Sequence, residues 1–402
     1  MMFSQRGDRG ALCVFAVAAL SCSPSPVAPP PVAPSPPRAT AAPTPADAVL
    51  SSKSRAMAAA LDSYFASQIP ADEPGIAVLI MKHDSVVFEH GYGLADLSTR
   101  TRVSPKTLFN TGSLSKTFVA NAILILQEQG KLSVEDDLLK HFPELKNKEL
   151  GSRVKLKHML THTSGLPDNR EVAKNRDFYL TAKDVENWYP VTQADALVFE
   201  PGSQFAYSNP AFNGLALIVE HLSGMKWQEL IRTRIFLPAG MMTSTITDGP
   251  HPETGVAHAY HMVDGIWAEW DYGEFPTFAA AGNGGVWSSV EELARYELAL
   301  QRGVFLKPET VTDSRTIKTF PSWTSDKAPY IGWSWFIGPP KQPYPEQLRR
   351  VGHTGGQGGF ETNYVVFPDK DLFFVFLTNS PRDFDGITKT IIDELGKANW
   401  LD

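Results

Sequence analysis

The chain has 402 residues, with 37 lysines and arginines against 44 aspartates and glutamates, which gives a formal net charge of -7. This acidic balance argues against nucleic acid as a partner, because domains that bind nucleic acid carry basic surfaces. Residues 48–402 are long enough to bury a large core with more than one hydrophobic nucleus.

The first 21 residues have the pattern of a secretory signal peptide. Arg6 and Arg9 precede an apolar run at residues 11–20, and small residues follow it. The run is shorter than the roughly 20 residues that a membrane-spanning helix needs. Cys22 comes directly after this segment and resembles the acceptor cysteine of bacterial lipoproteins. We therefore expect secretion across the inner membrane, to the periplasm or as an envelope lipoprotein with a lipid anchor at Cys22.

Residues 22–47 form a linker rich in proline and alanine. Residues 24–45 hold ten of the 31 prolines in the chain. Such a segment stays extended and cannot bury a core, so it indicates a spacer. The two cysteines, Cys13 and Cys22, both precede residue 48, and the domain at 48–402 therefore contains no disulfide.

The domain pattern begins and ends with strands next to a terminal helix. Helical periodicity covers residues 56–69 and 384–399, and strand patterns occur at 75–81, 86–90, 363–367 and 372–377. Between them lie helical patterns at 119–130, 154–161 and 211–222, and an aromatic strand pattern at 331–338. This order predicts an α+β fold (an α/β sandwich), with one antiparallel sheet, flanking terminal helices and a helical insertion at about 113–287.

Ser113 and Lys116 are the first of three motifs with possible chemistry. They follow Gly112 at the start of an apolar helical pattern, where residues three apart share a face. A serine hydroxyl becomes a nucleophile when a base removes its proton. Lysine becomes such a base only if burial lowers its pKa from the ordinary value of about 10.4. On its own this spacing also fits a helix-capping serine and a solvated lysine.

The second motif is Tyr207-Ser208-Asn209, which lies between a Pro-Gly turn and an apolar helix. A tyrosine held near Lys116 could move a proton to a leaving group and later activate water. Asn209 could hydrogen-bond a substrate amide and the lysine. A buried loop tyrosine with a purely structural hydroxyl is the alternative.

The third motif, His353-Thr354-Gly355-Gly356, follows a strand pattern at residues 349–351. An edge strand can pair with an extended substrate, and glycines allow close approach of the backbone. The N–H groups of Gly356 and Ser113 could then form an oxyanion hole. A glycine-rich turn would explain the same residues.

In this order the three motifs resemble those of the serine β-lactamase and DD-peptidase family. The similar branch contains class C β-lactamases, Streptomyces-type DD-carboxypeptidases, D-aminopeptidases and related esterases. The resemblance covers nearly all of residues 48–402 and implies a β-lactamase/transpeptidase-like fold. It also rests on the stretches at 109–118, 158–167, 201–209, 281–287 and 352–360.

The resemblance implies a role for each motif residue. Ser113 is the nucleophile, Lys116 its base partner, Tyr207 the general base and Asn209 a substrate-orienting residue. His353 and Thr354, followed by Gly355, take the place of the Lys-Thr pair of β-lactamases and bind substrate. No metal or organic cofactor is required.

Two departures bear on the substrate. A neutral histidine at position 353 supplies no permanent cation for a β-lactam carboxylate, unlike lysine, and resembles the DD-carboxypeptidase and aminopeptidase branches. The Glu-x-x-Leu-Asn loop of class A β-lactamases has no match. We therefore expect a serine hydrolase that acts on D-amino-acid peptides, including cell-wall peptide, or on carboxylic esters. A β-lactamase and a non-catalytic envelope binding protein are the alternatives.

Two other signals are set aside. His158 and His162 have metal-ligand spacing, but no glutamate follows His158, so the zinc-protease pattern fails. The Gly-x-Ser-x-Gly elbow of α/β-hydrolases does not occur in the sequence.

Overall fold

The computed structural model describes residues 52–170, 182–247, 254–269, 281–338 and 348–402. All of them belong to one structural unit, Pro37–Asp402. The signal peptide predicted at residues 1–21 and most of the linker at 22–47 precede this unit, and both lie outside the described residues. Of the helices in the described ranges, none has the length and apolar character that crossing a bilayer requires.

Strands and helices alternate irregularly along the chain. The strands are β1 (Ile76–Lys82), β2 (Ser85–Tyr92), β3 (Leu94–Asp96), β4 (Thr101–Arg102), β5 (Phe109–Asn110), β6 (Thr245–Ile246), β7 (Tyr260–Val263), β8 (Ile266–Glu269), β9 (Val286–Ser288), β10 (Phe336–Ile337), β11 (Val351–Gln357), β12 (Phe360–Phe367) and β13 (Leu372–Thr378). The α-helices are α1 (Ser52–Gln68), α2 (Ser115–Glu128), α3 (Leu138–His141), α4 (Lys148–Arg153), α5 (Leu156–Leu160), α6 (Asp184–Thr192), α7 (Asn209–Ser223), α8 (Trp227–Ile231), α9 (Leu237–Ala239), α10 (Val290–Gln301), α11 (Pro308–Ser314) and α12 (Phe384–Lys397).

The largest sheet has six strands in the order β10-β11-β12-β13-β1-β2, and each neighbouring pair is antiparallel. Ile76 of β1 lies opposite Thr378 of β13, so the two ends of the domain meet inside the sheet. The predicted α+β class, with an antiparallel sheet and terminal helices, is confirmed.

Strand β1 is buried on both faces. Ile76, Val78 and Ile80 join a core with the apolar side chains of α1 and α12. Ala77 and Leu79 point the other way, into the larger core that contains the central helices. Because successive side chains of a strand point to opposite faces, burial on both sides requires the continuous apolar run seen in the sequence.

The central helical region brings two loops together. A small sheet in the order β5-β9-β6 pairs Asn110 of β5 with Trp287 of β9. The turn after β5 leads to Ser113 and then into α2, which is buried along most of its length. The loop before β9 contains Asn283. The antiparallel pairing therefore sets this loop beside the serine.

Asn379, directly after β13, connects three distant segments. Its side-chain oxygen accepts a hydrogen bond from the Gly75 N–H at 2.6 Å. Its amide nitrogen donates to the carbonyls of Leu94 at 3.1 Å and His258 at 2.8 Å. One buried amide thus ties the start and end of the sheet to the inserted region.

The strand predicted at residues 331–338 is wrong in length, because only Phe336–Ile337 forms β10. Ser334 has a φ of +65°, and the Gly332 N–H bonds to the Trp335 carbonyl at 2.8 Å. A tight turn therefore interrupts the aromatic run. The pattern of apolar and polar residues in the sequence gives no sign of this turn.

Candidate active site

Ser113 lies on a short turn between β5 and α2. The turn is a 3-10 helix, Gly112–Leu114, so the serine stands just before α2 rather than inside it. The Asn110 side chain accepts a hydrogen bond from the Gly112 N–H at 2.8 Å. Gly112 has a φ of +52°, a left-handed conformation that glycine adopts without strain. Local backbone geometry therefore fixes the direction of the serine.

Lys116 is fully buried one turn further on. Its Nζ lies 3.1 Å from Ser113 Oγ and 2.6 Å from the carbonyl oxygen of Asn283. Burial holds the pKa of Lys116 well below its ordinary value, and the positive charge of Arg170 lowers it further. A neutral amine beside a serine hydroxyl is the arrangement that a proton acceptor needs.

Tyr207 borders the same space. The Nζ of Lys116 lies 4.9 Å from the centre of the Tyr207 ring. Desolvation raises the pKa of Tyr207 to about 12, although a hydrogen bond with Ser113 acts in the opposite direction. The residue is still 41% exposed, so solvent can reach it. At neutral pH Tyr207 is therefore a phenol that can both donate and accept a proton.

His162 holds Tyr207 from behind. The two rings stack with centroids 4.3 Å apart and planes 25° from parallel. Nδ1 of His162 accepts a hydrogen bond from the Ser208 N–H at 3.0 Å. Burial keeps the pKa of His162 well below its ordinary value. A neutral, rigid imidazole thus sets the position of the loop that carries the tyrosine.

His158 has a different environment, although it lies only four residues before His162. Its Nδ1 accepts a hydrogen bond from the Lys155 N–H at 3.1 Å, and its ring packs edge-on against Phe320 at 5.1 Å. The two imidazoles therefore form separate structural contacts, which explains their spacing without a metal.

The motif at residues 353–356 lies within β11 and not after it. β10 pairs only with Val351 and Gly352, so from His353 onward this side of β11 has no neighbouring strand in the described part of the chain. His353 is 2% exposed, and burial beside Lys116 lowers its pKa to about 3. Its Nδ1 lies 2.6 Å from the Thr354 carbonyl oxygen. The imidazole is consequently neutral at physiological pH.

Glycines let β11 touch the turn that carries Ser113. A Cβ added to Gly355 would lie 3.1 Å from the Ser113 nitrogen, and one added to Gly112 would lie 2.7 Å from the Gly356 nitrogen. The backbone nitrogens of Ser113 and Gly356 are therefore close to one another, as two oxyanion-hole donors must be.

Asn209 is the first residue of α7, and its side chain is half-buried. Ser208 caps the same helix, because its Oγ accepts a hydrogen bond from the Ala211 N–H. In the described ranges, the hydrogen bonds of Lys116 go to Ser113 and to Asn283. Among the described residues, the predicted hydrogen bond between Asn209 and Lys116 is therefore not formed.

Sequence reasoning did not identify the group that holds Asn283. The Asn213 amide donates to Asn283 Oδ1 at 3.0 Å and to Asp184 Oδ1 at 2.8 Å. The Gly282 N–H also donates to Asp184 Oδ1, at 2.8 Å. Asn283 contributes a backbone carbonyl, which its side-chain identity does not reveal. Asp184 lacked any motif that would have singled it out.

Comparison with known proteins supports a single family. Residues 29–396 match the family described as Beta-lactamase. Penicillin-binding protein 4* of Bacillus subtilis (strain 168) is 28% identical over 328 residues, which cover 76% of this chain and 68% of that protein. The D-alanyl-D-alanine-carboxypeptidase/endopeptidase AmpH of Escherichia coli (strain K12) is 27% identical over 323 residues, or 76% of this chain and 80% of AmpH.

A solved structure agrees with the sequence relatives. The octameric penicillin-binding protein homologue from Pyrococcus abyssi superposes with a TM-score of 0.71 at 25% identity, and covers 83% of this chain and 76% of that one. Since the family match spans most of the residues and the fold agrees, the chain belongs to the β-lactamase family and is a serine hydrolase of the β-lactamase and penicillin-binding-protein type.

Proposed function

We propose that this protein hydrolyses D-amino-acid peptides, such as cell-wall peptide, through an acyl-serine intermediate at Ser113, and that it also accepts carboxylic esters. The reaction type rests on one observation above all. A fully buried Lys116, with its pKa well below the ordinary value, lies 3.1 Å from Ser113 Oγ.

Acylation follows from this geometry. Ser113 Oγ attacks the carbonyl carbon of the scissile amide while its proton passes to Lys116 Nζ. The N–H groups of Ser113 and Gly356 stabilise the negative oxygen. When the intermediate collapses, the C–N bond breaks and the leaving amine takes a proton that Tyr207 relays from Lys116. The products are an acyl-serine, a free amine and a neutral lysine.

Deacylation uses the same groups in reverse. Water attacks the acyl carbonyl and gives its proton to the Tyr207 hydroxyl, which passes its own proton to Lys116. A pKa of about 12 keeps Tyr207 protonated at neutral pH, so it acts as a relay rather than as a standing phenolate. Ser113 Oγ then leaves with the proton that Lys116 returns to it, and the carboxylic acid and a neutral lysine result.

The neutral His353 supports the choice of substrate class. A lysine at this position would provide a cation for a β-lactam carboxylate, whereas the imidazole is uncharged at physiological pH. An uncharged wall suits an ester or the amide of a D-amino acid, which bring no carboxylate to it. The names of the relatives, a penicillin-binding protein and a D-alanyl-D-alanine-carboxypeptidase/endopeptidase, agree with this choice.

A β-lactamase is the second candidate, because the matching family is named for that activity. The distinguishing quantity is the deacylation rate after benzylpenicillin has acylated the serine. A peptidase of this family would keep the adduct, and a β-lactamase would hydrolyse it within the turnover time.

The location is part of the proposal. We propose that residues 1–21 direct export and that Cys22 carries a lipid, so that the domain works in the periplasm or at the envelope membrane. Mass spectrometry of the mature protein from a bacterial membrane fraction tests this. A lipidated N-terminus at Cys22 that disappears in Cys22→Ala supports it, and an unmodified soluble product that begins elsewhere contradicts the lipid anchor.

A time course of intact mass tests the reaction. The purified protein and Ser113→Ala are each mixed with benzylpenicillin, and separately with a peptide that ends in D-alanyl-D-alanine. We expect a persistent penicillin adduct and release of D-alanine from the wild type, and neither from the variant. Full activity in Ser113→Ala would contradict the nucleophile, and rapid loss of benzylpenicillin without an adduct would favour the β-lactamase.

A further inference from the structure

The direction of the Lys116 side chain depends on a backbone carbonyl. A neutral amine has two N–H groups and one lone pair. Because one N–H points at the Asn283 oxygen, 2.6 Å away, the lone pair can face Ser113 Oγ, 3.1 Å away. A shift of the carbonyl would turn the lone pair off the serine. The position of Asn283 is therefore a condition for proton transfer.

Asp184 anchors the segment that contains Asn283. A single oxygen, Oδ1, accepts hydrogen bonds from the Gly282 N–H and from the Asn213 amide, both at 2.8 Å. Asn213 also holds the Asn283 side chain at 3.0 Å. The carboxyl group thus fixes the residue before Asn283 directly and Asn283 itself through α7.

The environment of Asp184 is unusual for a surface helix start. The residue is the first of α6 and only 4% exposed. Burial raises its pKa to about 7, which the donors Asn213, Gly282 and Trp227 oppose and the charge of Glu220 reinforces. Burying a carboxyl group among neutral donors costs free energy unless its hydrogen bonds are retained. Both protonation states keep an acceptor oxygen for these bonds.

We propose that Asp184 is a positioning residue for catalysis, which acts through Gly282 and Asn283 to aim the Lys116 amine at Ser113. The proposal rests on the function proposed above, in which Lys116 takes the proton of the serine. It adds a residue that touches neither substrate nor reacting atoms. The competing explanation is an anchor that joins α6 to α7 and affects only stability.

The test compares Asp184→Ala with Asp184→Asn in the purified full-length protein. Turnover of p-nitrophenyl acetate gives kcat and KM, and thermal unfolding gives stability. Asp184→Ala should lower kcat by about 10²-fold with KM unchanged, because an ångström of misplacement is enough for such a loss. Asp184→Asn keeps an acceptor oxygen and should recover most of the loss. A kcat in folded Asp184→Ala equal to the wild type, or no recovery in Asp184→Asn, would overturn the proposal.

Asp136→Ala is the matched control. Asp136 is another hydrogen-bonded carboxylate, although only partly buried, and it accepts hydrogen bonds from the Ser133 N–H at 3.0 Å and from Lys140 at 2.9 Å. Its loss should lower stability and leave kcat unchanged. If Asp184→Ala does not fold, Asn213→Ala replaces it, since that change removes the donor shared by Asp184 and Asn283. A wild-type kcat in Asn213→Ala would then overturn the proposal.

Ser113→Ala distinguishes a failure of the proposed function from a failure of the positioning role of Asp184. If Ser113→Ala turns over the ester like the wild type, the proposed function itself is wrong. If Ser113→Ala is inactive while Asp184→Ala keeps its kcat, only the positioning role is wrong.

Discussion

A Cβ built on Gly355 would lie 2.0 Å from the carbonyl oxygen of Thr111. Strand β11 and the turn that carries Ser113 therefore touch backbone to backbone, without side chains between them. This contact brings the Ser113 and Gly356 nitrogens close together. The separation of these two nitrogens, the proposed oxyanion-hole donors, therefore depends on the absence of a side chain at Gly355.

The first prediction concerns that contact. Gly355→Ala must push β11 away from the turn, because the three nearest atoms that the methyl group would meet all belong to the backbone. We expect a loss of kcat of about 10²–10³-fold, the size seen when one oxyanion donor is removed. Gly356→Ala is the stability control, since its Cβ would meet nothing within 4 Å. If Gly355→Ala unfolds at the same temperature as Gly356→Ala and keeps its kcat, the contact does not set the donors.

The second prediction is that Lys116 destabilises the folded state. Because burial lowers its pKa, the unfolded chain binds a proton more readily than the folded one between the folded-state pKa and about 10.5. Stability therefore rises with pH through that window. Lys116→Met should gain about 0.5–2 kcal/mol at pH 7, with a smaller gain as the pH approaches 10.5.

Chemical denaturation at pH 7, 8.5 and 10 measures this gain. The same variant should lose about 10²–10⁴-fold in kcat, the usual contribution of a positioned base. A stability gain that stays constant across these pH values would mean that the lowered pKa of Lys116 is not its cause.

The third prediction concerns acid. Folded His353 has a pKa of about 3 because it is buried beside Lys116, whereas an unfolded histidine titrates near 6.5. The unfolded chain therefore binds more protons between these values, and stability falls as the pH drops from about 6.5 toward 3. His353→Asn removes this contribution to the pH dependence of stability, so the melting temperature of the variant should fall less between pH 7 and pH 4. His83→Asn, at an exposed site, should behave as the wild type.

The fourth prediction concerns the buried ion pair between Glu297 of α10 and Arg315. Glu297 is fully buried and receives two hydrogen bonds from Arg315, at 2.8 and 2.6 Å, and one from Tyr364 at 2.5 Å. Burial alone would raise the pKa of Glu297, but Arg315 and these bonds hold it below its ordinary value. Glu297→Ala leaves an uncompensated cation and should cost about 3–5 kcal/mol.

Urea unfolding at pH 7 checks this cost. The double variant Glu297→Met with Arg315→Met should recover much of the loss, because it leaves neither charge behind. A double variant no more stable than Glu297→Ala would indicate that packing, and not the unpaired charge, causes the loss.

The sequence pattern predicted the elements that bury apolar runs. Patterns at 119–130 and 211–222 correspond to α2 and α7, which start earlier, at Ser115 and Asn209. Both starts are polar, so hydrophobic periodicity could not include them. The break at Ser334 was missed because a left-handed serine has no composition signal.

The candidate site was predictable where side-chain identity carries the chemistry. Ser113, Lys116 and Tyr207 stand in one cluster, and β11 lies against them. Asn283 was not predictable, because it acts through a carbonyl that every residue possesses. Asp184 acts at one remove, and its role depends on a fold that brings α6, α7 and the loop before β9 together. Their catalytic roles remain predictions until the variants are measured.

The pairing of β1 with β13 has a consequence for how the protein is made. Ile76 and Thr378 are roughly three hundred residues apart, so β1 emerges long before its partner exists. Until β13 has been synthesised, one edge of the apolar strand β1 is unpaired, and an unpaired edge favours aggregation. A premature stop near residue 370 would remove β13 and leave one edge of β1 unpaired, while the other edge still pairs with β2. It should therefore be as damaging as a stop near the beginning of the domain, although all three motifs, at 113–116, 207–209 and 353–356, would already have been synthesised.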